Sequence, residues 1–245
     1  MTSTEDKYNI WHQIKAEEES IDHVLDSPWY KTVNELLPSN FNGKILEIGC
    51  GRGDFSIYLA QKFPNSFITA TDFSSFAIES AQIKVNEKVK LKNIELKWED
   101  AEHLSFTNEC FDLVISCETL EHVNHQKKML SEIYRVLKKD GRLILTTENY
   151  FNGMILTWFK SWLFNTPYDS GSGVQPNENF MICFATYLKF KKADFKNIKT
   201  KSTHFQWLLL PKVNPSRLCT NEFKYKCINN LFKPFGRHFT YNCIK

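Results

Sequence analysis

The chain has 245 residues, 42% hydrophobic and 24% charged, with a formal net charge of +3. This is the composition of an ordinary globule with room for a full core, and it excludes disordered and fibrous classes; no stretch approaches the roughly 18 apolar residues of a membrane span. Seven scattered cysteines with no C-x-x-C pair argue against disulfide and zinc frameworks. The polar start Met1–Tyr8 lacks an apolar secretion-signal core, so the expected location is cytoplasmic.

In chain order, residues 1–40 come first. Their polar segment Thr4–Pro38 has helix-like spacing and clustered Glu17, Glu18 and Glu19, and is expected to form a helical cap. Residues 41–149 then alternate short apolar runs with amphipathic stretches, the pattern of βα units on a parallel sheet. Strands are expected at Lys44–Ile48, Phe67–Thr71, Ile94–Trp98, Phe111–Ser116 and Arg142–Thr147. Helices are expected at Asp54–Lys62, Ser74–Asn86 and Gln126–Lys138, the last with an apolar stripe of Met129, Leu130, Ile133, Val136 and Leu137. Asp140-Gly141 reads as a helix-to-strand turn.

Residues 150–195 are expected to form a substrate-side insertion. It holds an aromatic-rich helix (Tyr150–Phe164), a Gly/Ser/Pro/Asn-rich loop suited to a lid (Thr166–Asn179) and a helix (Phe184–Ala193). Residues 196–245 supply strands at Lys196–Thr203 and His238–Ile244. From Thr186 onward the chain is basic, with only Asp194 and Glu222 as acids. A solvated surface is the simpler reading; attraction to a phosphorylated substrate or to anionic lipid headgroups, with peripheral membrane contact, is the sharper one.

The strongest local signal is the apolar strand Ile45–Ile48 running into Gly49-Cys50-Gly51-Arg52-Gly53 and then a helix. Such glycines let a ligand approach backbone N–H groups that a Cβ would block. The spacing is G-x-G-x-G, whereas the nicotinamide dinucleotide fingerprint is G-x-G-x-x-G. Glu47, two residues before the first glycine, suits a cationic amino-acid headgroup better than a pyrophosphate. About 20 residues past the glycines, Asp72 ends the second strand, where it can accept both ribose hydroxyls of an adenosine or, alternatively, cap the helix near Ser74. After the third strand, Asp100 can accept from an adenine amino group while the Ala101 N–H donates to the ring.

Taken together, Leu46–Gly53, Asp72, Asp100-Ala101 and Phe111–Ser116 resemble the successive motifs of class I S-adenosylmethionine-dependent methyltransferases. The subgroup nearest in pattern holds ubiquinone and menaquinone biosynthesis enzymes and small-molecule O-methyltransferases. The resemblance spans roughly Asn42 to Asn149 with its motifs in order. It implies a Rossmann-like α/β fold: a doubly wound, seven-stranded, mostly parallel sheet whose antiparallel C-terminal hairpin comes from Lys196–Thr203 and His238–Ile244. The implied cofactor is S-adenosylmethionine, with Gly49, Gly51 and Gly53 along its methionine and ribose, Asp72 on the ribose, and Asp100 with Ala101 on the adenine. Cys50, Phe73 and Cys117 complete the expected lining.

Following the fourth strand, His122 is the candidate general base, because histidine ordinarily titrates near neutrality. Related phosphobase methyltransferases use a histidine at about this place with an N-terminal tyrosine, for which Tyr8 and Tyr30 are candidates; a structural histidine opening the next helix is the alternative. Glu118, Glu121 and His122 also resemble the E-x-x-E-H of metal-dependent small-RNA 2′-O-methyltransferases and of some ubiquinone-pathway enzymes. That site needs a further histidine, His204 being the only one between His125 and His238, and no metal is expected. The leading expectation is therefore methylation of a hydroxyl on a small-molecule, sugar-type or lipid-linked acceptor. RNA methylation, without a recognisable RNA-binding module, and a noncatalytic partner subunit are the alternatives.

Overall fold

The computed structural model describes residues 3–14, 21–151, 162–165, 176–206, 219–220 and 230–245. Its centre is a single mixed sheet in the order β3-β2-β1-β4-β5-β8-β6-β7. The strands are β1 (Lys44–Ile48), β2 (Phe67–Asp72), β3 (Ile94–Trp98), β4 (Phe111–Cys117), β5 (Leu137–Glu148), β6 (Lys196–Gln206), β7 (Cys219–Thr220) and β8 (Gly236–Ile244). The first five run parallel, and β8 enters antiparallel between β5 and β6. These are the seven expected strands with the expected hairpin, extended at the edge by the two residues of β7.

Period-two alternation assigns the strand side chains to two cores. Leu46, Ile48, Val114, Leu143 and Leu145 pack on one side with Met129, Leu130, Ile133 and Val136 of α5 (Gln126–Val136). On the other side, Ile45, Leu113, Ile115 and Ile144 meet Val33 of α2 (Pro28–Leu36) and Phe55 and Leu59 of α3 (Asp54–Lys62). Both faces are thus covered, as a parallel sheet requires. Two further helices are α4 (Ser75–Ile83), capped by Ser74 Oγ accepting from the Ala77 N–H, and α6 (Cys183–Lys192).

The boundary between α5 and β5 differs from expectation. The helix stops at Val136, and the fully buried Leu137 already pairs with Phe111, followed by a bulge before Leu113 meets Arg142. Asp140, at φ 60°, supplies the left-handed residue of the Asp140-Gly141 turn. α4 likewise ends earlier than expected and continues as a π-helical turn over Lys84–Val89.

α1 (Thr4–Ile14) crosses the carboxyl edge of the sheet. Asn9 Oδ1 accepts from Ser74 Oγ at 2.6 Å and from the Phe76 N–H at 3.2 Å, pinning α1 to the start of α4. Most of the expected Tyr150–Phe164 helix and Thr166–Asn179 loop lies outside the described residues. Among the described residues, no helix is long and apolar enough to cross a membrane.

Candidate active site

The parallel strands end at one edge, and β1 and β4 are adjacent although distant in sequence. That switch point opens the crevice in which such sheets bind ligands. Directly above it lies a cavity of about 690 Å³, roofed by Tyr8, Trp11 and His12 of α1.

The loop after β1 turns three times through left-handed glycines, Gly49 (φ 75°), Gly51 (φ 52°) and Gly53 (φ 79°). The Gly49 and Cys50 N–H groups donate to the Thr71 carbonyl at 2.8 and 2.9 Å, fastening the loop to β2. The three glycines serve different ends. A Cβ on Gly49 would lie 2.1 Å from Thr119 Oγ1, and one on Gly53 would lie 2.8 Å from the Ala81 Cβ. At Gly51 the nearest atom would be His12 Cε1 at 3.6 Å, so this glycine keeps open space beside the cavity.

Asp72 Oδ2 accepts from the Gly51 N–H at 2.8 Å and Oδ1 from the Ser74 N–H at 2.9 Å. Each oxygen keeps a lone pair for the cavity that Asp72 lines, and the helix cap belongs to Ser74 instead. Phe73 stands beside it against Trp98, ring centroids 5.5 Å apart. Asp100 and Ala101 line the far end, Asp100 accepting from the Glu102 N–H at 2.8 Å. A carboxylate for a diol, a glycine without Cβ and an acid-bearing turn form a donor set that fits an adenosyl cofactor with an amino-acid tail.

At the other end, Glu118 leaves β4 at φ 47°, a left-handed conformation unusual outside glycine, and its side chain lines the cavity. His122 follows one turn later. Its Nδ1 lies 2.8 Å from the Asn177 carbonyl, which can only accept, so Nδ1 carries the proton and Nε2 keeps the lone pair. Tyr8 donates to the His122 backbone carbonyl at 3.3 Å, and Asn177 Nδ2 donates to it at 2.8 Å. Tyr8 therefore supports the backbone of His122; burial pushes its hydroxyl pKa up, keeping it a donor. Tyr30 lines the same cavity and stacks on Phe55 at 4.4 Å.

Glu118 and Glu121 are both pushed up to about 8, first by burial and then by neighbouring carboxylates, Glu148 for Glu118 and Glu118 for Glu121. Burial moves His238 the opposite way, down to about 3. Glu121 is committed to the fold: Thr147 Oγ1 donates to it at 2.8 Å and the Glu148 N–H lies at 3.4 Å. Glu118 Oε2 meets His238 Nδ1 at 3.1 Å. Glu118, Glu121 and His122 thus turn to different partners, and among the described residues no group of three or more His, Cys, Asp or Glu is placed to hold a metal ion.

Of the residues singled out in the sequence, Gly49, Gly51, Asp72, Phe73, Asp100, Ala101, Cys117 and His122 line this one cavity. Glu47, Cys50 and Gly53 stand behind it. Glu47 is fully buried, accepts a short hydrogen bond from Ser56 Oγ, and is pushed up to about 8, chiefly by burial. Burial also raises the Cys50 and Cys117 thiols, which makes them poor nucleophiles. Trp11, His12, Trp29, Glu148 and His238 are lining residues that motif spacing did not show. Glu148 was reachable as the last residue of a parallel strand. His238 was not, because it opens an antiparallel strand whose amino end reaches the same edge.

The chain belongs to the methyltransferase family: residues 39–170 match a family model described as "Methyltransferase domain". With the motifs above, it is of the class I, S-adenosylmethionine-dependent type. It is 34% identical over 136 residues to demethylmenaquinone methyltransferase of Lactobacillus johnsonii, covering 55% of this chain and 56% of that protein. It is 38% identical over 126 residues to malonyl-[acyl-carrier protein] O-methyltransferase of Priestia megaterium, covering 51% and 44%. The chain thus spans about half the length of the curated relatives it matches. A Thermotoga maritima structure titled an S-adenosylmethionine-dependent methyltransferase, possible histamine N-methyltransferase, superposes with TM-score 0.68 at 19% identity, over 99% of this chain and 100% of that one. Phosphoethanolamine N-methyltransferase 2 of Haemonchus contortus, solved with S-adenosyl-L-methionine, gives TM-score 0.65 at 16% identity, over 100% and 60%. At these identities the two structures speak for the fold alone.

Proposed function

We propose that this chain is an enzyme that transfers a methyl group from S-adenosylmethionine to a hydroxyl of a small-molecule or lipid- or sugar-type acceptor, with His122 as general base. The observation that carries this reading is the hydrogen bond from His122 Nδ1 to the Asn177 carbonyl, which leaves Nε2 as a free base in a ring that lines the cavity. Asp72 would hold the ribose, Asp100 and Ala101 the adenine, and the Gly49–Gly51 turn the amino-acid tail. When bound, S-adenosylmethionine would supply an electrophilic methyl group on a sulfonium, with a neutral thioether as the leaving group when the acceptor oxygen takes the methyl. The acceptor's proton would pass to His122 Nε2, with α1 excluding water above the site. Relatives named for demethylmenaquinone and malonyl-acyl carrier protein support an acceptor other than nucleic acid. So does the partial neutralisation of the basic tail: Lys201 pairs with Glu35, Lys245 with Glu109 and Arg237 with Glu148.

The test is incubation of the purified chain with a cell extract and methyl-labelled S-adenosylmethionine, followed by mass spectrometry. Label in a small-molecule ether, absent with His122→Ala, is the expected result. Label confined to RNA, or no cofactor-dependent label in any fraction, would overturn it.

A further inference from the structure

Asn149 holds together a surface that lies outside the cavity. This buried amide follows the cavity-lining Glu148. Its Nδ2 donates to the Pro234 and Gly236 carbonyls at 2.7 and 2.8 Å, and its Oδ1 accepts from the Cys183 N–H at 3.0 Å. Three segments far apart in sequence, the end of β5, the start of α6 and the turn before β8, are thereby fastened to one another. Each brings a phenylalanine to the same place. Phe151 meets Phe184 with ring centroids 5.8 Å apart and Phe235 at 5.4 Å, and Phe232 meets Phe235 at 6.3 Å. Rings ordinarily turn inward, yet Phe151 is 38%, Phe235 45% and Phe184 57% exposed. Leu188, one helical turn beyond Phe184 on the same face of α6, is 58% exposed. Single apolar side chains on a surface are ordinary. Rings in mutual contact, fixed by a buried amide and left facing solvent, form a contiguous patch of the kind that marks a contact with another body.

The charges around the patch decide which body. Residues 179–193 and 230–245 contain no Asp or Glu. Past Leu188, the exposed face of α6 continues into Lys191 and Lys192, while Lys189 and Lys233 stand half-buried beside Leu188 and Phe232 in the chain. Burial and then the like charge of Lys127 lower the Lys189 pKa, and burial lowers that of Lys233. Among the described residues, no carboxylate pairs with any of these four lysines. A second copy seated here about a two-fold axis would set the same lysines against each other. The boundary between lipid headgroups and acyl chains suits the patch better. Aromatic and aliphatic side chains enter that boundary, and lysines reach anionic headgroups on flexible stems.

We propose that this face docks on an anionic lipid surface. Phe184, Leu188 and Phe235 enter the headgroup region, and Lys191, Lys192 and Lys233 pair with lipid phosphates. Glu148 and His238, which line the cavity, stand one and two residues from the segments that carry the patch, so the cavity comes to lie beside the bilayer. The proposal rests on the lipid-type acceptor of the reading above and names the surface from which that acceptor enters. Docking is noncovalent.

The test is flotation of the full chain, without cofactor, on vesicles of phosphatidylcholine alone and of phosphatidylcholine with about one-third phosphatidylglycerol. The anionic vesicles should bind it about 10-fold or more tightly than the neutral ones. Phe184→Ser with Phe235→Ser should weaken binding to the anionic vesicles by about 10-fold or more. Lys191→Gln with Lys192→Gln should weaken it by about the same factor through lost charge alone, about 10-fold. Each double variant should keep the parent's urea unfolding midpoint, which shows that it folds. Equal binding to the two vesicle types, no binding to either at about 1 mM lipid, or binding that either double variant leaves unchanged would overturn the proposal. Binding of polyglutamate in place of vesicles would assign the patch to an acidic protein partner and overturn it. A dimer in place of vesicle binding, dispersed by Phe184→Ser with Phe235→Ser, would assign it to a second copy and overturn it as well. Failure of the methyltransferase reading looks different, because S-adenosylhomocysteine would then not bind while flotation is unaffected.

Discussion

His122 Nδ1 and the Asn177 carbonyl oxygen are 2.8 Å apart, and this contact joins the turn after β4 to the loop before α6. It fixes the ring's tautomer and its direction together. His122→Ala should therefore lower kcat by about 10²–10⁴-fold with cofactor affinity nearly intact, the loss a positioned base accounts for. A variant that retains nearly full kcat would return His122 to a structural role and turn attention to Tyr8 and Glu121.

Asp72 combines two tasks that one substitution can separate. Its carboxylate fixes the Gly51 and Ser74 N–H groups and offers its remaining lone pairs to the cavity. S-adenosylhomocysteine at about 100 times its dissociation constant should stabilise the parent by about 2.7 kcal/mol. Asp72→Ala should weaken cofactor binding by about 2–3 kcal/mol, or roughly 30- to 150-fold, from lost charge-assisted hydrogen bonds. Asp72→Asn, whose single amide oxygen can keep only one of the two backbone N–H contacts, should fall between. Titration calorimetry of the three proteins decides it; equal affinities would leave Asp72 as a loop fastener alone.

Much of this arrangement was legible because local signals and tertiary demands agree. The strands Lys44–Ile48 and Ile94–Trp98 and the helix Asp54–Lys62 have the bounds their apolar spacing predicts. Where the two disagree, boundaries shift: Leu137 continues the apolar stripe of α5 by spacing, yet pairing with Phe111 draws it into β5. The glycine loop, Asp72 and His122 were visible because parallel strands deliver their following residues to one edge. Trp29, His12 and His238 come to that edge from the N-terminal cap and from an antiparallel strand, and no fixed spacing links them to the motifs. Glu148 shows the same limit in milder form, since nothing local distinguishes a strand-ending glutamate in a cavity from one in solvent.

Gly49 should be the least replaceable of the three loop glycines. Its φ of 75° already penalises a side chain, and an added Cβ would meet Thr119 Oγ1 at 2.1 Å, inside a turn fastened to β2. Gly49→Ala is expected to cost about 1–3 kcal/mol for the backbone alone, with the clash in addition. The double variant Gly49→Ala with Thr119→Ala should recover the clash but not the backbone cost. Urea unfolding of the parent, single and double variants separates the contributions; a single variant as stable as the parent would contradict the geometry.

Glu47 offers a pH test that distinguishes fold from cofactor. Its carboxyl is fully buried, accepts from Ser56 Oγ, leaves Oε1 without a partner, and is pushed up to about 8, chiefly by burial. In the unfolded chain it returns to an ordinary glutamate value of about 4.3. Between those values the folded protein holds a proton that the unfolded chain has released, so stability falls as pH rises through the window. In Glu47→Gln the amide oxygen can still accept from Ser56, and this titration is gone. The variant should therefore gain stability relative to the parent by at least about 1.4 kcal/mol, the equivalent of one pKa unit, on going from about pH 5 to about pH 8. Glu118 and Glu121, also pushed up to about 8, titrate in both proteins and cancel in the difference. Denaturant unfolding at the two pH values measures it, and a difference independent of pH would mean that Glu47 is ionised in the folded state. Because Glu47 does not line the cavity, S-adenosylhomocysteine affinity should change by about threefold or less in the same variant. A larger loss would assign Glu47 to the cofactor's amino-acid tail, reached through water or through movement of the glycine loop.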